Sequence, residues 1–202
     1  MDKLLISFIG IFVFAFFLTI IVNIFHTKRK EKERNFHFSK EKLEEYEKIV
    51  DDYLNKNGIE EKDLSVVLKN IGYKVVEKEK IHDDHEAYVE DKTIFVDKNL
   101  GFRVKNFGIA HEVAHIIRGS ENAVARDPHS FKKRTIEEQI CDYIAAALLL
   151  PLKEIDVRMS EIGYDRITKR EKIRFISALA EEKNVCEEVV IRRIEEIRLI
   201  NK

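Results

Sequence analysis

Residues 107–117 place two histidines and a glutamate in an otherwise apolar helix pattern. Such a pattern is typical of a buried helix, and a buried polar group needs a partner. His111 and His115 are four residues apart and therefore lie on one helical face, where both imidazoles can reach a single ion. Glu112 points to the side of that pair. This HExxH arrangement predicts that the two imidazoles bind Zn²⁺ and that Glu112 takes the proton from a zinc-bound water.

A second apolar pattern follows at residues 137–150, before Pro151, and its acids Glu138 and Asp142 stand one helical turn apart. A catalytic zinc takes three protein ligands and keeps one position open, so we predict Glu138 as the third ligand. A zinc-bound histidine usually gives its other ring N–H to a carboxylate. We predict that Asp142 accepts that hydrogen bond from His111.

An alternative role exists for these two acids. Glu138 closes a capping box with Thr135 in this interpretation, and Asp142 is a solvated charge. A helix that begins earlier, with Asp127 as its N-cap and Pro128 at its first position, would free Glu138 from capping.

Taken together, residues 107–115 and 138–151 resemble the ImmA/IrrE family of metallopeptidases. The resemblance covers about residues 40–200 and implies an α+β, mostly helical, zincin-like domain with a small antiparallel sheet beside the catalytic helix. Carried over by position, it implies that His111, His115 and Glu138 are zinc ligands, with a gluzincin-like third ligand, and that Glu112 is the catalytic base.

Several positions depart from the family pattern. Gly108 stands for threonine, Ala114 for glycine, Cys141 for alanine and Ile144 for phenylalanine. All four keep small or apolar character, so they bear on packing and not on the metal site. Asp142 falls where the family often has asparagine and where thermolysin-like zincins have an aspartate behind a ligand histidine.

A membrane anchor is predicted at residues 4–25, which carry no charge. As a helix this run would be about 33 Å long, enough to span a bilayer. No small-residue cleavage site follows it, which favours an anchor over a secretory signal peptide. Basic residues are denser after the run than before it, so the positive-inside rule predicts a single-pass protein with its C-terminal domain in the cytoplasm.

The predicted organisation is an anchor at 1–27, a charged tether at 28–40 and a metallopeptidase domain at 41–202. The formal net charge of -1 provides no basic stripe, so we expect no direct contact with nucleic acid. The two cysteines, Cys141 and Cys186, are expected to be reduced structural thiols.

Within the domain, amphipathic helices are predicted from Ser39 to Gly58 and from Leu64 to Gly72. Strands follow at 73–77, 87–90 and 93–97, the last two joined by a tight hairpin. Residues 87–96 are the expected substrate-binding edge. After residue 151 we predict a short helix, a turn at Gly163 and helices at 169–183 and 186–200.

Residues beyond the metal ligands also bear on function. His85, Tyr88, His129 and Tyr143 are candidate donors to the oxyanion of a tetrahedral intermediate. The polar segment 119–134 is a loop over the site and a possible lid. His82 and His85 could reach a metal, although loop histidines are more often solvated.

The sequence therefore predicts a membrane-anchored cytoplasmic zinc metallo-endopeptidase that acts on a protein or peptide. The family resemblance implies a regulatory substrate such as a helix-turn-helix repressor. Two alternatives are a tethered zinc-binding regulatory module without catalysis, and a metal-free helical scaffold in which the HExxH is accidental.

Overall fold

Helices make up most of the chain described by the computed structural model, which comprises residues 38–79, 86–120 and 136–201. The unit from Lys40 to Lys202 contains, in chain order, α1 (Lys40–Lys56), α2 (Leu64–Ile71), β1 (Lys74–Lys78), β2 (Ala87–Glu90), β3 (Thr93–Asp97), α3 (Phe102–Arg118), α4 (Ile136–Leu149), α5 (Leu152–Glu161), α6 (Lys169–Glu182) and α7 (Glu187–Ile200).

None of the helices within these three ranges is both long and apolar enough to cross a bilayer. The predicted anchor at residues 4–25 and the tether up to residue 37 lie outside the described residues.

Local sequence signals account for the ends of the first two helices. α1 begins directly after Ser39 and ends shortly before Gly58, which has a left-handed φ of 65°. The Asp63 carboxylate caps α2 by accepting hydrogen bonds from the backbone N–H groups of residues 65 and 66. Gly72, at φ 75°, ends α2 as predicted.

The sheet has three strands in the order β1-β3-β2. β2 and β3 form the predicted hairpin, with a turn at Asp91 and Lys92. β1 runs parallel to β3, so the prediction of an antiparallel sheet is wrong for this pair and the sheet is mixed. Turn chemistry determines the β2–β3 pairing locally, whereas the partner of β1 depends on the path of the chain between β1 and β2, which no local pattern specifies.

The central strand is β3, whose side chains Ile94 and Val96 are almost fully buried. The predicted substrate-binding edge at 87–96 therefore needs correction, because β3 has partners on both sides. Within the described residues, β2 pairs on one side only and is the strand of that pair that can accept an added strand.

The sheet packs against α3, and α3 packs against α4. A Cβ atom at Gly108 of α3 would lie 3.6 Å from the Cβ atoms of both Ala87 and Glu86, so the start of β2 approaches this helix closely. Every residue of α4 from 140 to 149 is buried, which makes α4 the central helix of the unit. The predicted helices after Pro151 are confirmed as α5, α6 and α7.

Candidate metal centre

Two facing helices bring the predicted ligand residues together. His111 and His115 come from α3, and Glu138 comes from the first turn of α4. Nε2 of His111 lies 3.1 Å from Nε2 of His115 and 3.1 Å from Oε2 of Glu138. Nε2 of His115 lies 3.4 Å from Oε1 of Glu138. One ligand atom from each residue lies within 4.8 Å of the other two, so the three donors converge on one point.

These donors fit a zinc ion. A tetrahedral zinc with bonds of about 2.0–2.1 Å separates its nitrogen and oxygen ligands from one another by about 3.3 Å. The three observed separations, 3.1, 3.1 and 3.4 Å, are of that size. Two imidazoles and one carboxylate are also the ligand set of catalytic sites that keep a fourth position for water.

Asp142 lies behind His111, one helical turn after Glu138. Its Oδ1 is 2.9 Å from Nδ1 of His111, and the residue is only 6% exposed. An ionised carboxylate can only accept hydrogen bonds, so Nδ1 of His111 carries the hydrogen. This contact orients the ring so that Nε2 faces Glu138 and His115.

In the metal-free site, His111 and Glu138 shift each other's pKa values. Burial lowers the pKa of His111, but hydrogen bonds to Asp142 and Glu138 outweigh it and raise the pKa well above its usual value. Hydrogen bonds from His111 and His115 hold the pKa of Glu138 far below its usual range. A metal ion must therefore displace a proton from His111 when it binds.

Glu112 lies beside the ligand residues and is half-buried. Burial raises its pKa, while the nearby charges of His111 and His115 act in the opposite direction.

Sequence reasoning missed the groups around His115, which is only 2% exposed. Its Nδ1 lies 3.0 Å from Oγ of Ser120 and 3.4 Å from Sγ of Cys141. Arg118 and Glu137 form a two-pronged ion pair next to them, at 2.7 and 2.9 Å. The one sequence signal for this arrangement is Gly119, a helix-ending glycine that turns the chain back and is followed by a serine.

Two of the four candidate oxyanion donors do not belong to the site. The hydroxyl of Tyr88 lies 2.6 Å from Nζ of Lys78, and the strand register places Tyr88 on the sheet face opposite Ala87, which approaches α3. The hydroxyl of Tyr143 donates towards the Leu43 carbonyl at 3.3 Å, on the side of α1. Strand alternation and helix periodicity turn these side chains away.

The other predictions around the site lie outside the described residues. They comprise His82, His85, His129, most of the loop at 119–134, and the capping candidates Asp127, Pro128 and Thr135. The Glu138 carboxylate itself faces the two imidazoles.

Comparison with known proteins locates the site within a family domain. The model of a peptidase family described as "IrrE N-terminal-like domain" matches residues 61–195, a range that contains α3, α4 and all the ligand residues. A search of curated proteins found no match.

Among solved structures, the chain is similar in fold to a Mycobacterium tuberculosis transcriptional regulator, with a TM-score of 0.53 and 21% sequence identity. The match covers 80% of this chain and 48% of the regulator, so the chain spans about half the length of that structure.

Proposed function

Because the chain belongs to the peptidase family of IrrE N-terminal-like domains, we propose that it is a zinc metallo-endopeptidase. The observation that carries the proposal is the convergence of His111, His115 and Glu138 on one point, with Glu112 beside them. A scaffold with an accidental HExxH would have no reason to gather three donor atoms from two helices.

The chemistry follows from the groups at the site. Zinc, when bound, supplies Lewis acidity that polarises a peptide carbonyl and acidifies a water molecule. Glu112 accepts the proton of the attacking water and passes it to the leaving amine. Asp142 keeps the ring of His111 in the orientation that ligation requires.

The substrate is proposed to bind along the edge of β2. A peptide in extended conformation can add to that strand by main-chain hydrogen bonds. The start of β2 lies against Gly108, one helical turn before His111, so a peptide on this edge would pass close to the ligand residues. The proposed position of the peptide depends on the close approach of β2 to α3, which leaves little room for a large side chain at residue 108.

A regulatory protein, such as a helix-turn-helix repressor, is the proposed substrate class, as the family resemblance implies. The similar Mycobacterium tuberculosis protein is itself named a transcriptional regulator. We further propose that residues 4–25 anchor the enzyme in the membrane with its catalytic domain in the cytoplasm, which would favour substrates near the membrane.

Glu112→Gln tests the proposal, because it keeps the size of the side chain and removes the proton acceptor. The purified full-length protein, wild type and variant, would be assayed for zinc content and for cleavage of casein and of a quenched fluorescent peptide library. We expect equal zinc content and a loss of turnover of about 10²- to 10⁴-fold.

Cleavage by the variant at the wild-type rate would contradict the peptidase mechanism. Zinc binding without cleavage by either protein, together with full biological activity of Glu112→Gln, would instead favour the tethered regulatory module in which zinc has no catalytic role.

A further inference from the structure

We propose that Ser120 is the positioning residue for His115, and that Glu137 and Arg118 hold it in place. Its hydroxyl would do for His115 what Asp142 does for His111. The inference rests on the proposed metal site, and it concerns side chains that neither the HExxH pattern nor the Glu138 and Asp142 pair identifies.

The end of α3 places the hydroxyl. Gly119 adopts a left-handed φ of 67°, and its N–H donates to the carbonyls of His115 and Ile116. The N–H of Ser120 then donates to the His115 carbonyl at 2.8 Å, which folds the serine back over the histidine. As a result, Oγ of Ser120 lies 3.0 Å from Nδ1 of His115.

The neighbouring charges determine the direction of this hydrogen bond. Arg118 holds the Glu137 carboxylate with two hydrogen bonds, at 2.7 and 2.9 Å. Among the described residues, Glu137 and the His115 carbonyl can accept the Ser120 hydrogen, and the carbonyl oxygen lies 3.4 Å from Oγ. With its hydrogen turned to either of them, Oγ presents a lone pair to His115. Nδ1 of His115 therefore carries a hydrogen and Nε2 keeps the lone pair that a metal needs.

Cys141 is the competing partner, since its Sγ lies 3.4 Å from the same nitrogen. Sulfur in a thiol is a weak acceptor, whereas a hydroxyl oxygen at 3.0 Å is a normal one. The serine is therefore the main acceptor, and the thiol fills the remaining space.

The two histidines would thus be fixed in the same tautomer by different means. His111 meets its carboxylate directly at 2.9 Å. His115 is linked to the Glu137 carboxylate through the hydroxyl of Ser120. Both arrangements orient Nε2 towards Glu138.

Metal binding by the full-length protein tests the inference. Zinc affinity would be measured by competition with a chromophoric chelator for wild type, Ser120→Ala, Ser120→Thr and Cys141→Ala. The visible spectra of their Co²⁺ forms and the melting temperatures of the metal-free proteins would be recorded alongside. We expect Ser120→Ala to bind zinc about 10- to 100-fold more weakly, with a changed Co²⁺ spectrum and an unchanged melting temperature. Ser120→Thr, which keeps the hydroxyl, should have the zinc affinity and the Co²⁺ spectrum of wild type. Cys141→Ala should also resemble wild type in zinc affinity and Co²⁺ spectrum.

The outcomes separate this inference from the proposed function. Wild-type protein that binds no zinc would overturn both. Zinc binding by wild type and equal binding by Ser120→Ala would overturn the role of Ser120 alone. A loss in Cys141→Ala without a loss in Ser120→Ala would make the thiol the positioning group, and an equal loss in Ser120→Thr and Ser120→Ala would show that the hydroxyl is not what matters.

Discussion

Two partly buried polar clusters lie along α4, and their polar groups are satisfied in opposite ways. The metal centre, formed by His111, His115 and Glu138, lies at the beginning of the helix. The second, which we call the Arg193 cluster, lies at its other end and comprises Arg193, Glu47, Glu196 and the Leu150 carbonyl.

The Arg193 cluster is complete in itself. Arg193 has no exposed surface and donates to the Leu150 carbonyl at 2.9 Å, to Glu196 at 2.8 Å and to Glu47. Its guanidinium carbon also lies 4.9 Å from the centre of the Tyr143 ring. Each of its charges faces a partner of opposite sign, so the cluster joins α1, α4 and α7 without needing a ligand.

At the metal centre, by contrast, ligand atoms with lone pairs face one another. Two imidazole nitrogens and a carboxylate meet within hydrogen-bond distance, so a proton or a metal cation must lie between them. Burial of polar groups therefore does not by itself mark a functional site. The mark is a set of lone-pair donors that converge on one point.

Replacing Arg193 should produce the largest change in folding stability. Arg193→Ala removes the guanidinium from the half-buried Glu47 and the buried Glu196. Because Glu196 keeps its contact with Arg192 at 2.9 Å, the expected cost is about 3 kcal/mol of unfolding free energy, the low end for a broken buried pair. The matched control is Arg198→Ala, which removes an exposed arginine paired with Asp165 and should cost less than about 1 kcal/mol. Urea denaturation of both variants would measure the difference, and equal losses would show that the Arg193 cluster stabilises the fold no more than an exposed ion pair does.

Zinc should stabilise the protein only through the metal centre. At about 100 times its dissociation constant, zinc is expected to raise the free energy of unfolding by about 2.7 kcal/mol. Glu138→Ala should abolish most of that increment because a ligand is lost. Denaturation curves with zinc and with a chelator would test this, and curves that coincide for wild type would count against a metal centre.

Removing the carboxylate behind His111 should weaken metal binding without unfolding the domain. Asp142→Ala is expected to lower zinc affinity about 10- to 100-fold, because the ring loses the acceptor of its Nδ1 hydrogen. Asp142→Asn keeps an acceptor oxygen and should lose less. Isothermal titration with zinc would rank the three proteins, and wild-type affinity in Asp142→Ala would refute the orienting role.

Acidification should weaken zinc binding, and we expect this effect to be the smallest of those predicted here. The raised pKa of His111 means that the metal-free site holds a proton at neutral pH. Zinc must displace it, so affinity is expected to fall about tenfold for each unit of pH below that pKa.

The folding stability of the metal-free protein should change with pH in the opposite direction, falling as the pH rises. The stability that His111 contributes through its raised pKa is fully present below the usual histidine value of about 6.5 and is lost as the pH rises through the raised value. Zinc titrations and denaturation between about pH 6 and about pH 8 would compare the two slopes. A zinc affinity that does not change with pH would contradict the proton displacement.

The contrast between the clusters also explains what the sequence could predict. Helix periodicity places His111 and His115 on one face of α3, and Glu138 and Asp142 on one face of α4. Local spacing therefore predicts each half of the centre, while the packing of the two helices brings the halves together. The Arg193 cluster joins side chains that are 146 residues apart, and no local pattern connects them. From the sequence alone, the helical pattern predicts that Glu47 and Arg193 are ordinary surface charges of amphipathic helices.

The sheet topology and the surroundings of His115 could not be predicted for the same reason, because both depend on contacts that local sequence does not specify. The parallel partner of β1 depends on long-range chain path. Ser120 reaches His115 only because Gly119 adopts a left-handed conformation at the end of α3, and Glu137 arrives from α4. Residue type alone suggests Tyr88 and Tyr143 as oxyanion donors, but their hydroxyls face Lys78 and the Leu43 carbonyl.

Zinc stoichiometry tests the central claim most directly. Elemental analysis would be performed side by side on full-length wild type, His115→Ala and Glu138→Ala after dialysis against trace zinc. A site built by α3 and α4 together predicts about one zinc per wild-type chain and less than about a tenth in each variant. Wild-type protein with less than about a tenth of a zinc, or Glu138→Ala that retains zinc as fully as wild type, would contradict it.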